Sequence, residues 1–293
     1  MSITLQNEHL SAAISETGAE LHSLKLLSTG TEYLWQGDPA WWPSRAPLLF
    51  PIVGGLPGGS YTHEGKSYKL GNHGFARKKI FTVVEAGDHR AALRLVDTEE
   101  TRASYPFPFL LEVGFALNGA SLAVTWTVTN PGSAVLPFAI GAHPGFNVPL
   151  SHDQALSDHV LRFEKKESLS RRFLNEENAA FAISKDERAL SDADELALSA
   201  SLFDRGALVF AGQKSTHVTL ASRGGKRAVR VRFPGFTHLG IWAKAGGAPY
   251  VCIEPWFGVM GREDGPAELS RREGMLKLEP GKTWSAVHHI EPS

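Results

Sequence analysis

A chain of 293 residues, 42% hydrophobic and 21% charged, has the composition of a folded protein and the length of one large all-β domain or two average ones. Lys and Arg number 30 against 31 Asp and Glu, so no basic excess is available to steer nucleic acid or to hold an anionic membrane. The one cysteine, Cys252, excludes an internal disulfide and a cysteine-cluster metal site.

The start, Met-Ser-Ile-Thr-Leu-Gln-Asn-Glu, lacks the basic and apolar regions of a signal peptide, and no apolar run approaches the roughly 18 residues of a membrane span. A soluble cytoplasmic protein is expected. Ile3, Leu5 and residues 10–16 read as short strands, and residues 19–27 as another. Trp41 and Trp42 read as core packing, because each brings a large apolar area. Residues 44–59 hold three prolines and four glycines, which preclude a regular helix. Leu48, Leu49, Phe50, Ile52 and Val53 in that run must be buried, so a twisted extended segment is expected, with Arg45 at its entry. Arg45 can bind a sugar hydroxyl or pair with a surface acid.

Residues 61–70 read as a hairpin turning near Glu64-Gly65. Residues 80–84 and 91–96 read as strands, 99–104 as one helical turn, and 105–109 as extended. Leu111, Val113, Phe115 and Leu117 alternate with other residues, as do Leu122, Val124, Trp126 and Val128. Asn118-Gly119 lies between them, a strong local hairpin signal. Residues 150–201 are the least regular, and 192–202 read as a short helix with Ser191 as a cap. Strand signals resume at 207–210, 217–221, 229–233, 239–243 and 250–254. In the last of these Val251 and Ile253 share one face while Cys252 and Glu254 share the other. Residues 275–278 and 284–290 close the chain around a Pro280-Gly281 turn. Many short strands and almost no helix argue an all-β sandwich or barrel. With no repeat and no composition break, a single domain over 1–293 is the simplest account.

Three stretches place chemistry-bearing residues beside Gly or Pro: Asn72-His73-Gly74-Phe75-Ala76-Arg77, Gly141-Ala142-His143-Pro144-Gly145-Phe146 and Ile253-Glu254-Pro255-Trp256. Gly141 and Gly145 let the backbone turn and approach a ligand, and Pro144 restrains His143. His73, His143 and Glu254 lie far apart in sequence, so only the fold can bring them together. No local metal-ligand spacing, Gly-rich phosphate loop or serine nucleophile elbow is present. Acid–base chemistry without a cofactor or metal is what remains. One carboxylate and one imidazolium can each contribute about 10²–10⁴-fold. Proximity is expected to favour their ionised forms.

In these stretches, and in Ala46-Pro47-Leu48-Leu49-Phe50-Pro51-Ile52-Val53-Gly54, the chain resembles the aldose 1-epimerase (galactose mutarotase-like) family, within it the LacX-like subgroup. The order and spacing fit over nearly the whole chain. The resemblance implies a large antiparallel β-sandwich, a galactose mutarotase-like supersandwich, with an open carbohydrate cleft. It also implies interconversion of the α and β anomers of an aldose. By resemblance Glu254 is the general base, His143 the general acid and His73 a supporting substrate-binding residue, while Arg77 and Arg45 contact sugar oxygens. Trp242 and Trp256 can offer a flat face to the sugar or pack in the core. Relatives commonly carry Arg where Gly55 stands and Asp where Gly206 stands, which bears on affinity and substrate choice.

The expected partner is a small sugar, with no nucleic acid and no membrane, and the chain is expected to be a monomer or homodimer. Two other functions stand beside the epimerase. A non-catalytic sugar-binding protein on the same scaffold is consistent with the two departures. A hexose-6-phosphate 1-epimerase needs a cationic pocket, which Arg77 with Arg45 or Lys78 can supply. The missing arginine at Gly55 favours an unphosphorylated aldose.

Overall fold

A computed structural model describes residues 2–174 and 186–293. Strands dominate. The largest sheet has nine antiparallel strands, in the order Ala193–Ala197, His159–Glu167, His217–Ser222, Ala228–Arg232, Thr283–Pro292, Ser121–Thr129, Leu110–Asn118, Arg90–Val96 and Thr82–Ala86. A second sheet runs Ile140–Gly141, Tyr250–Phe257, His238–Trp242, Leu208–Ala211, and Gly145–Asn147 also pairs with Tyr250–Phe257. A four-stranded sheet, Ser2–Gln6, Leu10–Ser15, Glu20–Leu26 and Thr31–Glu32, begins the chain.

The alternating hairpin forms as its pattern requires. Leu111, Val113, Phe115 and Leu117 are buried, as are Leu122, Val124, Trp126 and Val128. The register pairs Val113 with Trp126 and Phe115 with Val124. The turn sits one residue later than the Asn118-Gly119 signal suggests. Asn118 pairs with Ser121, so Gly119-Ala120 is the loop. Only Gly119 takes a positive φ, +56°, the pattern of a type II′ turn. One hydrophobic core joins side chains of this hairpin to Ile253, Val251, Ile241 and Leu239 of the second sheet, as the inner faces of a sandwich must.

Glu99–Ser104 is an α-helix whose start is capped by the Thr98 hydroxyl, accepting from the Thr101 N–H at 3.2 Å. The helix expected at 192–202 is absent. Ala193–Ala197 is instead an edge strand on His159–Glu167, with Leu196 buried. Pairing with an available sheet edge and burial of Leu196 override the local helix preference. Residues 44–59 are irregular, as their Pro and Gly content dictates, ending in the 3₁₀ turn Pro57–Gly59. Leu49 and Phe50 are fully buried, and this segment is stitched to both histidine stretches: Leu49 bridges Gly141 and Phe50 bridges Gly74. Among the described residues no helix is long and apolar enough to cross a membrane.

Candidate active site

Glu254 sits in the middle of the second sheet. Its strand, Tyr250–Phe257, is paired on one side by His238–Trp242 and on the other by Ile140–Gly141 and Gly145–Asn147. The alternation along that strand sends Glu254 and Trp256 to the face that meets the cleft, opposite Ile253. The neighbours of Trp256 are glycines for a steric reason. A Cβ on Gly141 would lie 2.3 Å from the indole, and one on Gly240 2.5 Å from it. Gly145 leaves room for Trp42 in the same way, at 3.0 Å. Neither Gly141 nor Gly145 takes a positive φ. The expectation that they serve backbone turning is therefore corrected: they admit tryptophans. Trp256 is fixed by its indole N–H, which donates to the Ala142 carbonyl at 3.1 Å.

His143 enters beside this strand. Its Nε2 lies 3.2 Å from Glu254 Oε2, and both residues are buried. Among the described residues, Glu254 Oε2 and His143 Nδ1 have no aligned hydrogen-bond partner. The imidazole packs against Trp42 at 5.0 Å between ring centroids and edge-on against Trp242 at 5.6 Å. Trp42 is thus a wall of the cleft as well as a packing residue, which the core-packing expectation missed.

His73 has a positive φ of 64°, a rare conformation for a residue with a side chain. Three hydrogen bonds impose it. Its N–H donates to the Gly54 carbonyl, its carbonyl accepts from Phe50, and its Nδ1 accepts from the Gly54 N–H at 3.0 Å. A ring nitrogen that accepts from an amide carries no proton, so the neutral ring keeps its proton on Nε2. The ring stands edge-on to His143, 5.5 Å away.

These side chains line a cleft of about 390 Å³, with Asn72, Arg77, Leu174, Arg205, Gly206, Ala207 and Met260 completing its wall. That volume lies within the roughly 300–1,000 Å³ of small-molecule sites. Arg77 donates through Nη2 to the Asn72 carbonyl, and its Nε is buried without a partner. The structure thus brings together His73, His143, Glu254, Arg77, Trp242 and Trp256. Arg45 stands outside this wall. Its N–H donates to Glu20, its carbonyl accepts from Gly145, and its guanidinium lies near Gly37. Arg205, Trp42, Asn72 and Met260 were not singled out as site residues from the sequence. Arg205 precedes Gly206, a position already conspicuous, and that was the one available signal.

Burial sets the electrostatics. It pushes the Glu254 carboxyl well above the ordinary carboxylate range and pulls the His143 imidazole down to about 3. His73 is held well below its ordinary value by burial, then by His143 and Arg77. The expected ion pair is therefore not the resting form of the empty site, because desolvation of two buried charges outweighs their attraction. His143 and Glu254 hold one proton between them. A shift of that proton across 3.2 Å converts the neutral pair into the ion pair with no change in net charge.

The aldose 1-epimerase family model matches residues 1–288. Protein LacX (chromosomal) of Lactococcus lactis subsp. lactis is 34% identical over 265 residues, 88% of each chain. A galactose mutarotase related enzyme from Lactobacillus acidophilus superposes with a TM-score of 0.95 at 34% identity, covering 100% of this chain and 97% of that one. A galactose mutarotase-like protein from Lactobacillus casei ATCC 334 gives 0.90 at 30% identity, with both chains fully covered.

Proposed function

The chain belongs to the aldose 1-epimerase family, and from that premise we propose that it interconverts the α and β anomers of an aldose by acid–base ring opening and closure. The observation that carries this is the buried His143–Glu254 pair, 3.2 Å apart at the floor of an aromatic-walled cleft. Sugar oxygens entering the cleft meet two atoms with no partner among the described residues, Glu254 Oε2, an acceptor, and His143 Nδ1, a donor in the tautomer that leaves Nε2 free to take the Glu254 proton. Hydrogen bonds to the carboxylate favour its ionised form and draw the shared proton to His143. Glu254 then removes the proton of the anomeric hydroxyl. The C1–O5 bond breaks as the C1 carbonyl forms, and O5 takes a proton from His143. Rotation about C1–C2 presents the other carbonyl face, and the steps reverse. His73, neutral with its proton on Nε2, donates to a sugar oxygen. Arg77 orients a hydroxyl, and Trp242 faces the C–H side of the ring.

Polarimetry on freshly dissolved α-glucose and α-galactose, corrected for the spontaneous rate, tests the reading. Acceleration lost in Glu254→Gln supports it. Sugar binding with no acceleration would leave a non-catalytic binding protein.

Arg205 favours a second reading, an aldose carrying an anionic group. Its guanidinium carbon stands 3.9 Å from the Phe173 ring centroid, and it also pairs with Glu187. It lines the cleft beside Gly206, where a Cβ would meet nothing within 4 Å among the described residues. With Arg77 it makes two cations in the wall, while Glu254, the carboxylate among the lining residues, is held protonated by burial. The ratio of kcat/KM for glucose 6-phosphate and for glucuronate to that for glucose separates the two readings. A preference of about tenfold, or about 1.4 kcal/mol of transition-state binding, for either anion decides for the second.

A further inference from the structure

The strand that carries Glu254 bears another group that the proton chemistry leaves unused. Cys252 and Glu254 are two residues apart on Tyr250–Phe257, so both side chains leave the same face. His143 reaches that face from a remote part of the chain. A His143 ring nitrogen, Cys252 Sγ and a Glu254 carboxylate oxygen all lie within 4.8 Å of one another, and all three residues are buried. The His143 nitrogen that faces Glu254 is Nε2, 3.2 Å from Oε2, and Glu254 Oε2 and His143 Nδ1 have no hydrogen-bond partner among the described residues. We propose that His143, Cys252 and Glu254 form a binding site for a thiophilic divalent cation such as Zn²⁺, and that the bound ion displaces the proton shared by His143 and Glu254.

The donor set is one sulfur, one nitrogen and one oxygen, which suits zinc and disfavours Mg²⁺ and Ca²⁺, ions that demand more oxygen ligands. Zinc–ligand bonds of about 2.0–2.3 Å put neighbouring donors roughly 3.3–3.7 Å apart. His143 and Glu254 already stand at 3.2 Å, and the widest separation in the cluster closes by roughly 1 Å. Thiolate and carboxylate together cancel the charge of the ion, so the filled site is neutral, as a buried site needs to be. His143 and Glu254 line the cleft while Cys252 is fully buried and outside its lining, so the ion would enter from the cleft side of the pair. Binding releases the thiol proton and the carboxyl proton, because zinc is ligated by thiolate and carboxylate. Sequence spacing gives no sign of this site, because two ligands come from one strand and the third from a distant loop.

The site stands independently of the proposed activity; only its inhibitory consequence rests on that reading. The test begins with Co²⁺ added to metal-free protein, followed by stoichiometric Zn²⁺. A near-ultraviolet thiolate-to-cobalt absorption that zinc abolishes is expected. Zinc is also expected to slow anomer interconversion at least about tenfold, reversibly with EDTA. Cys252→Ser and Cys252→Ala, checked for wild-type circular dichroism, keep the basal rate, lose the absorption and need at least about tenfold more zinc for equal inhibition. Absence of the absorption in the wild-type protein overturns the proposal. So does equal zinc sensitivity in both variants, which assigns inhibition to other histidines. A protein inactive on every sugar still gives or fails to give the cobalt absorption, so the site and the activity fail separately.

Discussion

The floor and the rim of the cleft are built by different means. Glu254 and Trp256 are buried and set by strand register, with glycines opposite the indole, and His143 comes from the buried loop between two short strands beside them. Arg205, Gly206 and Leu174 stand at the rim, where Arg205 is 61% exposed and a Cβ on Gly206 would meet nothing within 4 Å among the described residues. Gly206 belongs to the rim and leaves the floor untouched. The contrast assigns the proposed proton chemistry to a packed sheet and the proposed substrate choice to exposed rim side chains.

The largest expected effect lies at the floor. Glu254→Gln keeps the shape and removes the proton site, so anomer interconversion by polarimetry falls at least about 10²-fold. Near-wild-type acceleration in a folded Glu254→Gln would erase the distinction between floor and rim.

A smaller effect follows from crowding the floor without touching its chemistry. Gly240→Ala places a methyl group 2.5 Å from the Trp256 ring. Overpacking of this kind costs about 1–3 kcal/mol, read as a lower denaturant midpoint, together with a lower kcat as the indole shifts beneath Glu254. Unchanged stability and rate would mean that the glycines there are not required by packing.

The smallest effect belongs to the rim. Arg205→Ala leaves kcat/KM for a neutral aldose within about threefold. It lowers kcat/KM for an anionic aldose by about tenfold, since an exposed cation contributes only modestly. Equal losses on both substrates would make Arg205 a structural support of the wall.

How much of this was legible in the sequence follows the same division. His73, His143 and Glu254 stood out because each is flanked by Gly or Pro, and the period of two along residues 250–254 already placed Cys252 and Glu254 on one face. The paired hydrophobic alternation at 111–128 gave the central hairpin, misplacing its turn by one residue. Trp42 and Arg205 were not legible as cleft walls, because neither belongs to a periodic element and their placement depends on how loops pack. Residues 193–197 show the same limit: their strand exists only because a sheet edge is there to receive it. The resting protonation of the pair was also beyond the sequence. Opposite charges attract at any separation the spacing allows, and only the depth of burial reverses the outcome.

That protonation is the central claim, and the pH dependence of kcat/KM for an aldose, corrected for spontaneous conversion, tests it most directly. The active pair holds one proton. The second proton binds only in acid, since burial brings His143 down to about 3, and the last leaves only well above the ordinary carboxylate range. The rate constant is therefore expected to fall in acid and to show no alkaline fall centred at the free-imidazole position near 6.5. Independent groups with ordinary values would give a bell that has fallen roughly 30-fold by about pH 8, because a free imidazole titrates near 6.5. A profile without that alkaline fall supports one proton shared by a buried pair, and an alkaline midpoint near 6.5 contradicts it.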